Sequence, residues 1–195
     1  MNGYSRIRRQ RLIQEAEGYL DLILVAGGPL PTTPANRTRL AERTIRVLDQ
    51  LESCESNREL HRSRAHYLRG QALRLMEQYP TAIAAFRQSL SLEPQNFHTL
   101  LSIAWCYKRI GHVDLAIETL EEALTFAPQR AILHYNLACY WSLANHLDPA
   151  LAHLSRAFEL NAKYRTTVHS EPDFDNIRHC PEFLAMATAR LPNEC

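Results

Sequence analysis

A 34-residue period constrains this chain more than any other feature. Ala82, Phe86 and Ser89 stand 34 residues before Ala116, Leu120 and Ala123, and Ala150, Leu154 and Ala157 stand 34 after them. The same shift links Gly70, Ala104 and Ala138, then Leu73, Tyr107 and Trp141, with Pro94 and Pro128 as a further pair that Ala162 breaks. A fixed period of this size signals a solenoid, whose units cannot bury their apolar faces alone and stack to do so.

The stretch CYKRIGHVDLAIETLEEALTFAP, Cys106 to Pro128, shows what one unit is. Lys108 and Arg109 suit a helix C-terminus. Gly111-His112 separates them from Asp114, a carboxylate suited to the next helix start. Ala116, Ile117, Leu120, Ala123 and Leu124 recur at three- and four-residue steps, one buried helical stripe. Pro128 blocks continuation. The unit is a helical hairpin.

The columns resemble the tetratricopeptide repeat: a small residue in helix A, an aromatic three positions on, then Ala, a bulky residue and a small residue in helix B, with Pro before the next repeat. The resemblance implies an all-α fold, an α-solenoid winding as a right-handed superhelix. It places repeats at 63–96, 97–130 and 131–164. Residues 1–62 read as a degenerate hairpin and 165–195 as a capping segment, all within one domain.

Composition agrees. Leu and Ala are abundant, Gly is scarce outside turns, and the formal net charge of +1 gives no global field for nucleic acid or an acidic membrane. The cysteines, Cys54, Cys106, Cys139, Cys180 and Cys195, are odd in number and lack CxxC spacing, which fits free thiols in a reducing compartment. No apolar run reaches bilayer-spanning length. The start, MNGYSRIRRQRLIQ, is basic with no acid before Glu15, as a transit peptide would be. The short apolar piece LILVAGG fits a secretory signal poorly, and the expected location is cytoplasmic.

In the first hairpin, RLIQEAEGYLDLILVAGG predicts a helix closed by Gly27-Gly28, and a second helix runs from about Ala35 to Ser53 with Ala41, Ile45 and Leu48 on its stripe. Gly18 would take the small-residue column. The Pro- and Gly-rich stretch 26–38 is an inserted loop, read as a tolerated surface loop over a functional flap. At the other end, Asp173, Phe174, Asp175, Arg178, Pro181 and Phe183 resemble the closing segment of bacterial proteins of this family. Phe174, Ile177, Phe183 and Leu184 would cover the bare face of the last hairpin.

The resemblance also implies which helix-A positions face a partner: Arg64, Tyr67, Gln71 and Arg74 in the first clear repeat; His98, Leu101, Trp105 and Lys108 in the second; Ile132, Tyr135, Cys139 and Ser142 in the third. Trp105 stands out, because its column holds Gln71 and Cys139 elsewhere and no core rule demands an indole there. It is either an anchor for a ligand's apolar side chain or packing against the adjacent A helix. With Arg64, Arg74 and Lys108 around it, the expected ligand is a segment of another protein with apolar anchors and acidic flanks. The clamp that holds chaperone C-terminal carboxylates is absent. Its positions hold Tyr67, Gln71, Ser102, Ile132 and Asn136, or Glu15, Tyr19, Leu68, His98 and Ser102 in the shifted frame, without the cations needed.

Catalytic, metal-binding and cofactor-binding constellations are not found. Nine histidines are present, but His146 and His153 straddle a turn, His179-Cys180 has no second pair at zinc spacing, and His134 and Cys139 point in different directions. All nine are expected on surfaces or turns. The run Arg58, Arg62, Arg64 and Arg69 with His61 and His66 could touch phosphates, a reading weaker than protein binding. Self-association is the other alternative.

Overall fold

The computed structural model describes residues 3–24, 33–53 and 59–188. Among them every regular element is helical: α1 Gly3–Leu24, α2 Pro34–Glu52, α3 Glu59–Leu75, α4 Tyr79–Leu92, α5 Phe97–Arg109, α6 Val113–Phe126, α7 Ala131–Leu143, α8 Leu147–Leu160, α9 Tyr164–Thr167, a 3-10 turn Pro172–Phe174, and α10 Pro181–Thr188. The fold is the all-α class of the helical-hairpin solenoids. No helix among the described residues is long and apolar enough to cross a membrane. Contacts divide the chain into two compact units, Met1–Cys106 and Tyr107–Cys195.

The repeat columns are the core. Ala82, Phe86, Ala104, Ala116, Leu120, Ala123, Ala138, Ala150, Leu154 and Ala157 are fully buried, and Ser89 nearly so. In the first unit α3 pairs with α4 so closely that a Cβ on Gly70 would lie 2.5 Å from Phe86 Cδ1. The sequence trades volume here: Gly accompanies Phe in this repeat, whereas Ala accompanies Leu at 104/120 and 138/154.

The hairpin turns carry a column that the sequence pattern did not reveal. Glu77, Gly111 and Asn145, again 34 apart, all adopt positive φ (61°, 83° and 61°). Around each, the following residue's N–H reaches back to the helix: Gln78 to Leu73 O at 2.9 Å, His112 to Tyr107 O at 3.0 Å, and His146 to Trp141 O at 2.9 Å. Glu77, Gly111 and Asn145 themselves donate to Arg74, Lys108 and Ser142 O. This is the Schellman motif, which satisfies the last carbonyls of a helix through a left-handed residue. Gly111 announces it chemically, Asn145 more weakly, and Glu77 not at all.

The first hairpin, α1 with α2, buries Leu12, Ile13, Ala16 and Leu20 against Ala41, Val47, Leu48 and Leu51, and joins Ala65, Leu68 and Ala72 of α3. Thr33 caps α2, its side chain accepting from Asn36 N at 3.3 Å, with Pro34 in the first turn. The last residues of the 26–38 stretch are thus helix; residues 25–32 lie outside the described residues, as do Cys54, Arg58 and Cys195. Gly18 does not take the close-packing role expected of it. It is exposed with open space at its Cβ position, because Ala16, not Gly18, sits on the buried stripe of α1.

In the second unit α6, α7 and α8 are closed by the C-terminal segment. Val168, Phe174, Ile177, Phe183 and Ala187 are buried there. Leu184, expected in that cover, is exposed instead; Ala187, one turn on from Phe183, takes the inward position. Arg178 ties the segment together, pairing with Asp175 at 2.7 Å and donating to the carbonyls of His169 and Glu171, each at 2.6 Å.

Candidate binding surface

Helices α3 and α5 present seven of the expected partner-facing residues within the first unit. Arg64 pairs with Glu17 of α1 at 2.8 Å and lies 5.4 Å from the Tyr67 ring centroid. Tyr67, half-buried, packs on Phe86 with ring centroids 5.8 Å apart. Gln71 links the two helices: its Nε2 donates to Ser102 Oγ at 3.0 Å, and its Oε1 accepts from Arg74 Nε at 2.9 Å. Ser102 Oγ passes the chain on to His98 O. Arg74 lies over the indole of Trp105 at 4.8 Å, and Tyr79 meets that indole edge-on at 5.8 Å. Leu101 is half-buried and His98 exposed.

Gln71, Arg74 and Trp105 therefore form one cluster, in which Trp105 is a half-buried platform beneath a cation. Burial lowers the pKa of Arg74 from its ordinary value. The Cys106 thiol beside it is pushed up to about 11 by burial.

Two clefts open along these helices. One, of about 420 Å³, is lined by Glu17, Leu20 and Asp21 of α1 with Arg64, Tyr67, Gln71 and Arg74 of α3. The other, of about 510 Å³, lies between Arg64, Tyr67, Ser89, Glu93, Asn96 and His98. The acidic wall, Glu17 and Asp21, was not among the residues singled out in the sequence. The degenerate repeat hid its register, since the buried Ala16 rather than Gly18 sets the face.

In the second unit the corresponding columns meet the chain itself. Lys108 Nζ reaches Asp173 Oδ2 at 2.5 Å, both side chains largely buried, and lies 5.9 Å from the Tyr140 ring centroid. Tyr135 stacks on Tyr164 at 4.5 Å, meets Phe174 edge-on at 5.8 Å, and its hydroxyl accepts from Thr167 Oγ1 at 3.4 Å. Burial pushes the Tyr135 hydroxyl up to about 12. Cys139 is buried, its thiol pKa well raised first by burial and then by Asp173 and Glu171. Asn176 donates to Ser142 O at 3.2 Å. Residues 164–176 thus cover Tyr135, Cys139 and Ser142.

One further expectation changes. His134 is no surface histidine; it is buried, and its Nδ1 lies 3.0 Å from His153 Nδ1 while its Nε2 lies 3.0 Å from Pro128 O. The carbonyl can only accept, so Nε2 of His134 carries the hydrogen; when that ring is neutral its Nδ1 accepts, and His153 Nδ1–H donates across the pair. Within the basic run, Arg69 bridges Asp49 and Glu52, and Arg64 pairs with Glu17. No group of three or more potential metal ligands occurs among the described residues.

A family model for the tetratricopeptide repeat matches residues 73–138, across the α3–α7 columns described above. Residues 73–138 are tetratricopeptide repeats. Solved structures share the fold. MamA superposes with a TM-score of 0.56 at 16% identity over 77% of this chain and 89% of that one. MamA from Desulfovibrio magneticus RS-1 gives 0.57 at 17% identity over 84% and 98%. YrrB, described as a tetratricopeptide protein with an unusual peptide-binding site, gives 0.58 at 15% identity over 68% and 66%. No curated protein matches the chain. At these identities the structural likeness establishes architecture, and the tetratricopeptide columns locate the side chains that differ from repeat to repeat.

Proposed function

We propose that this protein is a non-catalytic adaptor that holds a segment of another protein against α3 and α5. The observation that carries the reading is the Gln71–Arg74–Trp105 cluster beside the clefts at Arg64 and Tyr67. None of these polar and aromatic choices is demanded by the buried repeat columns. A half-buried Trp beneath an Arg is the composition of a protein-binding hot spot. The peptide-binding site of YrrB, on the same fold, supports the reading by analogy. Nucleic acid is less well served, because Arg64 and Arg69 already face carboxylates.

Affinity capture from a lysate of the source cell tests this, comparing the full chain with Trp105→Ala after both show the same helical melting curve. A protein held by the unsubstituted chain and lost by the variant supports the reading. Equal capture by both removes Trp105 from the site. Concentration-dependent self-association with no captured partner favours the self-assembling alternative.

A further inference from the structure

The second unit displays, within one chain, what a helix-A cation of this protein accepts. Lys108 takes the carboxylate of Asp173 at 2.5 Å, and the adjacent Phe174 is buried edge-on against Tyr135. The ligand here is the chain's own Glu171-Pro172-Asp173-Phe174. One period earlier in the sequence, Arg74 stands in the column of Lys108, Leu101 in that of Tyr135, and Trp105 in that of Cys139. All three earlier residues lie in the first unit. Arg74 uses only its Nε, on Gln71, among the described residues; the groups acting on its charge are Cys106, Tyr67 and Tyr79, none a carboxylate. Arg74 lines the cleft of about 420 Å³.

Resting on the adaptor reading, we infer that the segment held by α3 and α5 carries an acidic residue followed by an aromatic, the carboxylate on Arg74 and the ring against Leu101 and Trp105. The charge complement is specific. A guanidinium held by Gln71 through Nε and lying 4.8 Å over an indole keeps its remaining N–H groups for a ligand, and a guanidinium's planar fork matches a carboxylate oxygen pair. An aromatic next to it gains from the apolar Leu101 and the indole edge. Tyr135 and Cys139 cannot serve a partner in the same way while residues 164–176 cover them. The expected occupant is therefore a partner protein's Asp-aromatic or Glu-aromatic segment on the first unit.

The probe is a fluorescent peptide of sequence SEPDFDNI, identical to Ser170–Ile177, titrated into the full chain and read by anisotropy. Saturable binding is expected, weakened at least about tenfold by Arg74→Gln in the protein and, separately, by Phe→Ala or by Asp→Asn at the Asp173 position in the peptide. Arg74→Lys should retain part of the affinity. Melting curves of the variants must match the unsubstituted chain; should Arg74→Gln unfold, the peptide substitutions and Arg74→Lys decide alone. Absence of saturation up to about 1 mM overturns the inference. So does binding lost with Lys108→Gln but kept with Arg74→Gln, which would mean exchange with the chain's own segment, or a dimer abolished by Arg74→Gln, which would make a second copy the occupant. A random peptide library selected on the immobilised chain separates the two levels. Selected peptides that need Trp105 but lack an acidic–aromatic pair overturn this inference and leave the adaptor reading standing. Selection that never depends on Trp105 overturns both.

Discussion

The same helix-A columns meet opposite fates in the two units. On α3 and α5, Gln71, Arg74 and Trp105 hold one another, and Gln71 and Arg74 border an open cleft. On α7, Tyr135 and Cys139 lie beneath residues 164–176, and Lys108 is neutralised by Asp173. The difference teaches that a repeat column specifies where a side chain points, and that the non-repeating ends decide whether anything can reach it. A terminal hairpin must cover its exposed stripe, and here that cover extends over the positions an internal repeat leaves open.

The largest effect expected from breaking this contrast is Phe174→Ala. Phe174 is fully buried between Tyr135 and Phe183, so its loss should cost about 3–5 kcal/mol in the second unit. Thiol labelling of Cys139, slow in the intact protein because the thiol is buried, should accelerate markedly. If labelling and melting are both unchanged, the cover is not what holds this face.

Gly70→Ala probes the first unit. The new Cβ would meet Phe86 at 2.5 Å, and overpacking of this kind costs about 1–3 kcal/mol. Adding Phe86→Leu recreates the Ala/Leu pair that the other repeats use at 104/120 and 138/154. The double variant should melt higher than the sum of the single changes predicts. Strict additivity would refute the volume trade.

The turns allow a like-for-like comparison. Glu77 is a poor residue for φ 61°, so Glu77→Gly should stabilise the first unit by about 1 kcal/mol. Asn145→Gly should gain less in the second, because Asn tolerates the left-handed region. Thermal melts of both variants check the order.

The smallest effect is pH dependence. Burial lowers the His153 pKa below its ordinary 6.5, with His134 adding to the shift, and burial also lowers His66 in the first unit. Each depressed histidine binds more protons unfolded than folded, so its contribution is complete above pH 6.5 and declines as the pH falls. His153→Gln should flatten the acid side of the stability curve for the second unit alone, read by melts between pH 7.5 and 5.5 (about one unit either side of the ordinary histidine value). A steeper acid loss in the variant would contradict the assignment.

The columns were legible because burial repeats with the sequence. Ala82, Phe86, Ala116, Leu120, Ala150 and Leu154 needed only their spacing to be placed in the core. The Schellman column was less so, since Glu77 carries no sign that its backbone turns left-handed; Gly111 and, more weakly, Asn145 do. The His134–His153 pair was hidden for a different reason. The two residues lie on separate helices, and nothing in one helix's period relates them to each other. Gly18 misled because a small residue marks close packing only when it faces the partner helix.

The sequence by itself determined the hairpin unit, its length and the residues that build its core, because those depend on local helix periodicity and on a repeat of apolar volume. Only the tertiary structure decided which of these helix-A positions remain accessible. Whether Arg74 lies over Trp105, whether Lys108 meets Asp173, and whether Tyr135 is covered by Phe174 each depend on residues far apart in the chain. Their closeness follows from how hairpins and the closing segment pack, and no spacing along one helix encodes it.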